Sequence, residues 1–240
     1  MHLADVTWTD ARDVEADFAL LPVGSTEQHG PHAPLGLDSM TAEAIAEAGA
    51  DRYADEGTEV LVGPTVPVGV AAEHRNFEGT LWVSEDTFRA YVGETIESLA
   101  SHGIDRVVVV NGHGGNVDAL EELCGRMSRE GDVYTAQYTW FNSTDFENIG
   151  HAGPAETSMI RHLAPELIHE DRTEAAAEGG ADGWGEWVSG TNLAYDSDSF
   201  TDSGAVGDPR EGDAELGADL LDAAADALVE LLEAVADRQR

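Results

Sequence analysis

The sequence predicts an α/β fold, a three-layer sandwich with helices on both faces of a mainly parallel central sheet, in a single domain over residues 1–240. Three observations carry this expectation. Short apolar runs alternate with segments of helical spacing, the order that a parallel sheet with crossover helices requires. One run is four consecutive valines, Val107 to Val110, the pattern of a strand buried on both faces. A chain of 240 residues with 42% apolar side chains also suffices for one substantial core.

The elements follow in order. Phe18 to Val23 reads as a buried strand, and Ser39 to Glu56 as a helix with Met40, Ala44, Ile45 and Ala48 at helical spacing. Val60 to Val62 is a second strand, ended by Gly63-Pro64. Glu85 to Ala100 is helical, with Phe88, Val92, Ile96 and Leu99 on one side. Arg106 to Val110 is the valine strand, and Val117 to Ser128 the helix after it. Val133 to Trp140 is a further strand and Ala155 to Leu163 a further helix. The last helix, Asp213 to Ala236, carries a stripe of Leu216, Leu220, Ala224, Leu228, Leu231 and Val235 that packing on the sheet explains. Between Asp171 and Gly212 the pattern gives way to small and acidic residues interrupted by Trp184, Trp187, Tyr195 and Phe200. Aromatics at that density favour docking, over a site or against a neighbouring subunit.

Charge narrows the function. Asp and Glu number 48 against 12 Lys+Arg, all of them Arg, for a formal net charge of -36. Such a surface repels phosphate backbones and anionic membranes, so neither nucleic acid nor membrane is an expected partner. Acid spread along a chain with clear apolar strands fits a folded protein hydrated in concentrated salt, and a high-salt cytoplasm is the expected setting. The one cysteine, Cys124, has no internal disulfide partner, and the first residues lack a basic-then-apolar signal pattern. No apolar run reaches the roughly 20 residues of a membrane span.

In an open parallel sheet, functional groups collect in loops leaving the carboxyl ends of strands. Three loops qualify. The first strand exits into Gly24 to Asp38, where Glu27 and His29 are two apart and point the same way in extended backbone, with Asp38 returning at the next helix. Two carboxylates and an imidazole converging from a Gly- and Pro-fixed loop suit Zn²⁺, Mn²⁺ or Fe²⁺; the alternative is solvated loop residues with Asp38 capping the helix. The valine strand runs into Asn111-Gly112-His113-Gly114-Gly115-Asn116, which holds His113 at a strand end. The amides of Gly114 and Gly115 near a helix start favour anions, but no Lys follows as in a phosphate loop. The third loop, His151 to Ser158, sets His151 in a Gly-flanked turn and Glu156 in a first helical turn, where the helix dipole alone would also favour an acid.

The runs Leu21 to Asp38, Val107 to Asn116 and His151 to Ser158, the Phe77-Glu78-Gly79-Thr80-Leu81 stretch after His74, and Asp202 to Pro209 together resemble the creatininase (creatinine amidohydrolase) family. The resemblance implies a creatininase-like α/β sandwich holding a divalent metal, with two ions per subunit, and a homo-oligomer, for which a hexamer is expected. Carried over by position, Glu27, His29, Asp38 and His113 match metal ligands, with Asp38 suited to bridging two ions, and Glu156 is the fifth. In creatininase proper the loop after the valine strand reads Asn-Gly-His-Tyr-Glu-Asn and its Glu binds metal. Gly114 and Gly115 stand there instead, so creatinine is not singled out as substrate. The Gly-Gly version marks a subgroup resembling members that act on other amides, the archaeal formylaminopyrimidine nucleotide deformylases, and it also occurs in peptidases of the mycofactocin precursor.

The expected function is therefore a metal-dependent amidohydrolase that cleaves a non-peptide or cyclic amide C–N bond of a small molecule, a creatinine-type amide or the formamide of a pyrimidine nucleotide, by water activated at the metal. His151 is the expected general acid/base. Gly114, Gly115, Asn116 and His74 are the expected substrate contacts. The alternatives are a metallopeptidase of the mycofactocin type or a non-catalytic metal- or nucleotide-binding module. His32 is expected to make a structural hydrogen bond, and His102, His162 and His169 to lie at the surface.

Overall fold

The computed structural model describes residues 1–14, 16–54, 59–144 and 149–238. After a short helix α1 (Trp8–Asp13), the chain forms β1 (Ala16–Val23), α2 (Leu37–Ala54), β2 (Glu59–Val62), α3 (Glu85–Ala100), β3 (Arg106–Asn111), α4 (Val117–Glu130) and β4 (Tyr134–Thr139). Then come α5 (Pro154–Leu163), α6 (Thr173–Glu178), the two-residue strands β5 (Trp187–Val188) and β6 (Thr191–Asn192), and α7 (Ala214–Ala236). Strands β1 to β4 pair in parallel in the order β2-β1-β3-β4. The predicted strands and helices all occur, with ends shifted by a few residues; the last two residues of the expected Ser39 to Glu56 helix lie outside the described residues.

Alternation along the strands divides the core into two layers. Phe18, Leu20, Val60, Val62, Val108 and Val110 face α2, α5 and α7, while Ala19, Leu21, Leu61, Val107 and Val109 face α3 and α4. This is the three-layer sandwich that the valine run predicts. Helix α2 is seated between the sheet and α7, so its buried face is Ala42, Ile45, Ala46, Gly49, Ala50 and Tyr53 rather than the expected Met40-Ala44-Ala48 side. Gly49 is where the two helices touch: a Cβ there would lie 2.6 Å from the Leu228 side chain. No helix among the described residues is long and apolar enough to cross a membrane.

The strand order also places the site. From β1 the chain crosses to β2 on one side, then returns past β1 to β3 on the other, so the connections leaving β1 and β3 diverge. A doubly wound sheet opens a crevice at such a point, outside the carboxyl ends of the two strands.

Candidate metal centre

Three glycines let chain segments converge in that crevice. A Cβ on Gly24, just past β1, would overlap the backbone of Ser39, and one on Gly112, just past β3, would overlap the Asp38 carbonyl. The first turn of α2 can therefore lie across the ends of both strands. Asn116 clamps the arrangement: its Nδ2 donates to the Gly24 carbonyl (3.1 Å) and its Oδ1 accepts from the Val70 amide (2.9 Å). A Cβ on Gly69 would overlap this Asn116 side chain. Gly112→Ala should push the start of α2 off the strand ends. Overpacking of this kind costs about 1–3 kcal/mol, a fall of several degrees in melting temperature for a chain this size. Gly114→Ala, with nothing within 4 Å of its Cβ position, should leave melting unchanged in the same calorimetric comparison.

The side chains delivered here are Glu27, His29, Asp38, His74, His113, His151 and Glu156, all buried. Asp38 sits in the first turn of α2, not at its cap, and spans two imidazoles: Oδ1 lies 3.1 Å from His29 Nε2 and Oδ2 3.3 Å from His113 Nδ1. Glu27 does likewise, with Oε2 3.2 Å from His113 Nδ1 and Oε1 3.4 Å from His74 Nε2. Glu156 Oε2 accepts the Ala152 amide at 2.5 Å and lies 3.8 Å from His29 Nε2. The outward ring nitrogens are anchored on backbone carbonyls, His113 Nε2 on Val70 (2.7 Å) and His29 Nδ1 on Glu27 (3.2 Å), which aims the other nitrogen of each inward.

His151 enters from the third loop, pinned by a two-way backbone pair with Val206. Its Nε2 lies 2.7 Å from the Gln28 carbonyl, which can only accept, so this nitrogen carries the proton and Nδ1 presents a lone pair, 3.8 Å from Glu27 Oε1 and 4.0 Å from Glu156 Oε2. The ring is flanked at centroid distances of 4.4 Å by both His29 and His74.

Charge in this cluster is far from solution behaviour. Burial disfavours protonation of His29, but Asp38, Glu156 and Glu27 outweigh it and raise its pKa to about 9. His113 is raised in the same way, against burial, by Glu27 and Asp38. Burial raises Glu156 to about 7, with Asp38 and Glu27 adding to it. Burial, reinforced by His74 and His29, drives His151 well below the ordinary imidazole range. Three carboxylates this close demand positive charge. Both Glu27 oxygens, His29 Nε2 and Asp38 Oδ2 are buried without a hydrogen-bond partner, which a cation would supply. Within this cluster three triads have ligand atoms within 4.8 Å of one another: Glu27-His29-Asp38, His29-His151-Glu156 and Glu27-His74-His151. The residues therefore fit divalent metal ions.

The expected ligands Glu27, His29, Asp38, His113 and Glu156 are thus brought together. Gly114, Gly115 and His74 line the cavity above them, with His74 set deeper than a substrate contact needs, against Glu27. Asn116 is a correction: it is fully buried in the clamp and lines no part of that cavity. His32 reaches beyond its own loop to Thr157 Oγ1 (2.9 Å), and His102, His162 and His169 are exposed. Two participants, Gln28 and Glu73, escape sequence reasoning. Gln28 supports His74 and His151 from behind: its Nε2 donates to His74 Nδ1 (2.9 Å) and the Gly204 carbonyl (3.0 Å), and its backbone carbonyl accepts from His151 Nε2. Glu73 lines the cavity beside His113. Trp184, one of the aromatics expected to dock over a site or a neighbouring subunit, stands edge-on to His74 and His151.

Fold and site together define an α/β protein with a buried carboxylate-imidazole centre at the carboxyl edge of a parallel sheet. Residues 4–232 match the creatininase family, described as creatinine amidohydrolase, and the chain belongs to that family of hydrolases. The mycofactocin precursor peptide peptidase of Mycobacterium ulcerans (strain Agy99) is 38% identical over 160 residues, covering 65% of this chain and 62% of the relative. The 2-amino-5-formylamino-6-ribosylaminopyrimidin-4(3H)-one 5'-monophosphate deformylase of Methanobrevibacter smithii is 29% identical over 160 residues, covering 65% and 64%. The chain thus spans less than two thirds of the length of these curated relatives. A crystal structure from Bacteroides fragilis NCTC 9343, described as a candidate creatinine amidohydrolase, shares the fold with a TM-score of 0.83 at 24% identity, covering 100% of this chain and 97% of that one. The peptidase shares more identity than the deformylase, so the expected deformylase-like grouping gives way to a peptidase-like one.

Proposed function

We propose that this chain is a metal-dependent hydrolase of amide bonds and that its substrate is a peptide. The observation that carries the metal chemistry is the set of buried, unpartnered oxygen and imidazole atoms on the floor of a cavity of about 530 Å³. Glu27, His29, Asp38, His113 and Glu156 would hold the metal, with the two oxygens of Asp38 facing different imidazoles as two ions would require. Zinc, manganese and iron all suit this mixed donor set. A divalent cation here supplies a Lewis acid and lowers the pKa of water toward neutrality.

The chain's own groups do the rest. His151 is unprotonated at neutral pH and presents Nδ1 to the carboxylates, so it can take a proton from water and return it to the leaving amide nitrogen. Gln28 fixes its tautomer, and the stacked His74 ring fixes its tilt. Trp184 packs edge-on against both His74 and His151. The peptide substrate is favoured by the 38% identity to a peptidase; a formamide of a pyrimidine nucleotide is the second reading, favoured by the likeness to the deformylase.

Protein stripped with chelator and reloaded with zinc or manganese should cleave members of a short-peptide panel, with new fragments seen by mass spectrometry. Glu27→Gln should abolish that cleavage. Release of formate from the nucleotide with no peptide cleaved would move the substrate to the second reading. Inactivity on both, with metal bound, would refute the hydrolase.

A further inference from the structure

The cavity above the cluster has no Lys or Arg in its described wall. Glu27 and Glu156 lie at its floor, Glu73 and Asp182 on its sides, and Phe141 and Trp184 supply aromatic surface. The chain contains no Lys, and none of the lining residues is Arg. Arg75, next in sequence to His74, is paired with Asp196 at 2.6 Å.

Glu73 is placed by more than exposure. It belongs to the 3-10 turn Ala72–His74 that also supplies His74, and its Oε1 lies 3.9 Å from His113 Nε2. Gly115 makes room for it: a Cβ at 115 would stand 2.7 Å from that same oxygen. The carboxylate therefore occupies the approach to the Gly114 and Gly115 amides. An anion drawn to those amides would meet a negative charge first. Beside it Glu27, fully buried and with both oxygens unpartnered, faces the same cavity. Even two divalent cations on the floor would leave only one positive charge over Glu27, Asp38 and Glu156, and the two wall carboxylates exceed it.

Phosphate recognition needs Arg, Lys or converging amides free of competing acid. A carboxylate pair with an aromatic face is the converse: it binds ammonium or guanidinium through charge-assisted hydrogen bonds and cation–π contact. We propose that Glu73 and Asp182, with Trp184, form a specificity subsite that selects a substrate segment bearing a cationic nitrogen beside the scissile amide and rejects a phosphorylated one. The proposal rests on the hydrolase reading of the same cavity and, within it, separates a peptide from a nucleotide monophosphate.

Free arginine, glutamine and phosphoserine serve as uncleavable probes of matched backbone, titrated calorimetrically into manganese-loaded protein. Arginine should bind at least about tenfold more tightly than phosphoserine, the scale of one charge-assisted hydrogen bond. Glu73→Gln should weaken arginine about tenfold and glutamine less than twofold, with metal content unchanged. Asp182→Asn, at an exposed position, should shift the same ratio in the same direction and covers the case in which Glu73→Gln fails to fold. Phosphoserine binding as tightly as arginine, or an arginine-to-glutamine ratio unmoved in both variants, overturns the subsite. The binding order holding while no amide is cleaved would sink the hydrolase and leave the subsite standing; peptide cleavage with phosphoserine bound most tightly would do the reverse.

Discussion

Asp38→Ala is expected to yield folded protein that has lost most of its metal and more than about 100-fold in both metal affinity and turnover. Loss of a group that merely supports a ligand costs 10- to 100-fold, and Asp38 contacts two of the imidazoles directly. Its removal also takes away the carboxylate that, after burial, weighs most in the pKa of His29. The competing role, a helix cap, has a different signature. A lost cap costs about 1 kcal/mol, which lowers the melting temperature by roughly 2–4 °C and leaves metal untouched. Asp38→Asn sharpens the contrast because it keeps the shape and removes the charge. Metal analysis after dialysis, beside circular dichroism, reads both. Full metal content and near-normal turnover in either variant would return Asp38 to a structural role.

His151→Ala is expected to retain metal and lose roughly 10²- to 10⁴-fold in rate, the range for removal of a general acid/base. Retention is the informative half. His151 belongs to two of the three ligand triads in the cluster, so the same geometry serves a ligand or a proton carrier. What favours the proton carrier is that Glu27, His29 and Asp38 already meet in a triad without His151, and His113 adds a further donor at 3.2 Å from Glu27 and 3.3 Å from Asp38. A variant that folds but comes off a metal-loading column empty would reassign His151 as a ligand. His151→Gln serves as the control, since it can keep a contact with the Gln28 carbonyl and cannot shuttle a proton at neutral pH.

What could be read from the sequence was whatever is written in local pattern. The valine run and the apolar run Phe18 to Val23 name strands covered on both sides, the stripe of α7 names the face of a covering helix, and these close into the observed layers. The convergence of Glu27, His29, Asp38, His113 and Glu156 was legible because strand-end loops of a parallel sheet leave few places for polar residues to point. Asn116 misled for a related reason. It ends the same Gly-rich run as His113, but whether an amide at that position faces ligand or backbone depends on where Gly24 and Val70 come to rest, 92 and 46 residues away along the chain. Glu73 and Gln28 carried no local signal either. A Glu before a His, and a Gln between a Glu and a His, read as ordinary loop residues until the turn at Ala72–His74 is folded onto the loop after β1. The rotated buried face of α2 was hidden because Gly49, which lacks an apolar side chain, is the point of closest approach to Leu228.

The most direct measurement is a calorimetric titration of chelator-stripped protein with Mn²⁺ or Zn²⁺, repeated in buffers of different ionisation enthalpy. Two equivalents of metal per chain are expected to bind, with protons released. Without metal, His29 with a pKa of about 9 and His113, also raised, hold protons at neutral pH, and metal must displace them. Affinity should therefore increase as the pH is raised from 6 toward 9. Absence of stoichiometric binding, or binding without proton release and without pH dependence, would contradict a metal centre at Glu27, His29, Asp38, His113 and Glu156.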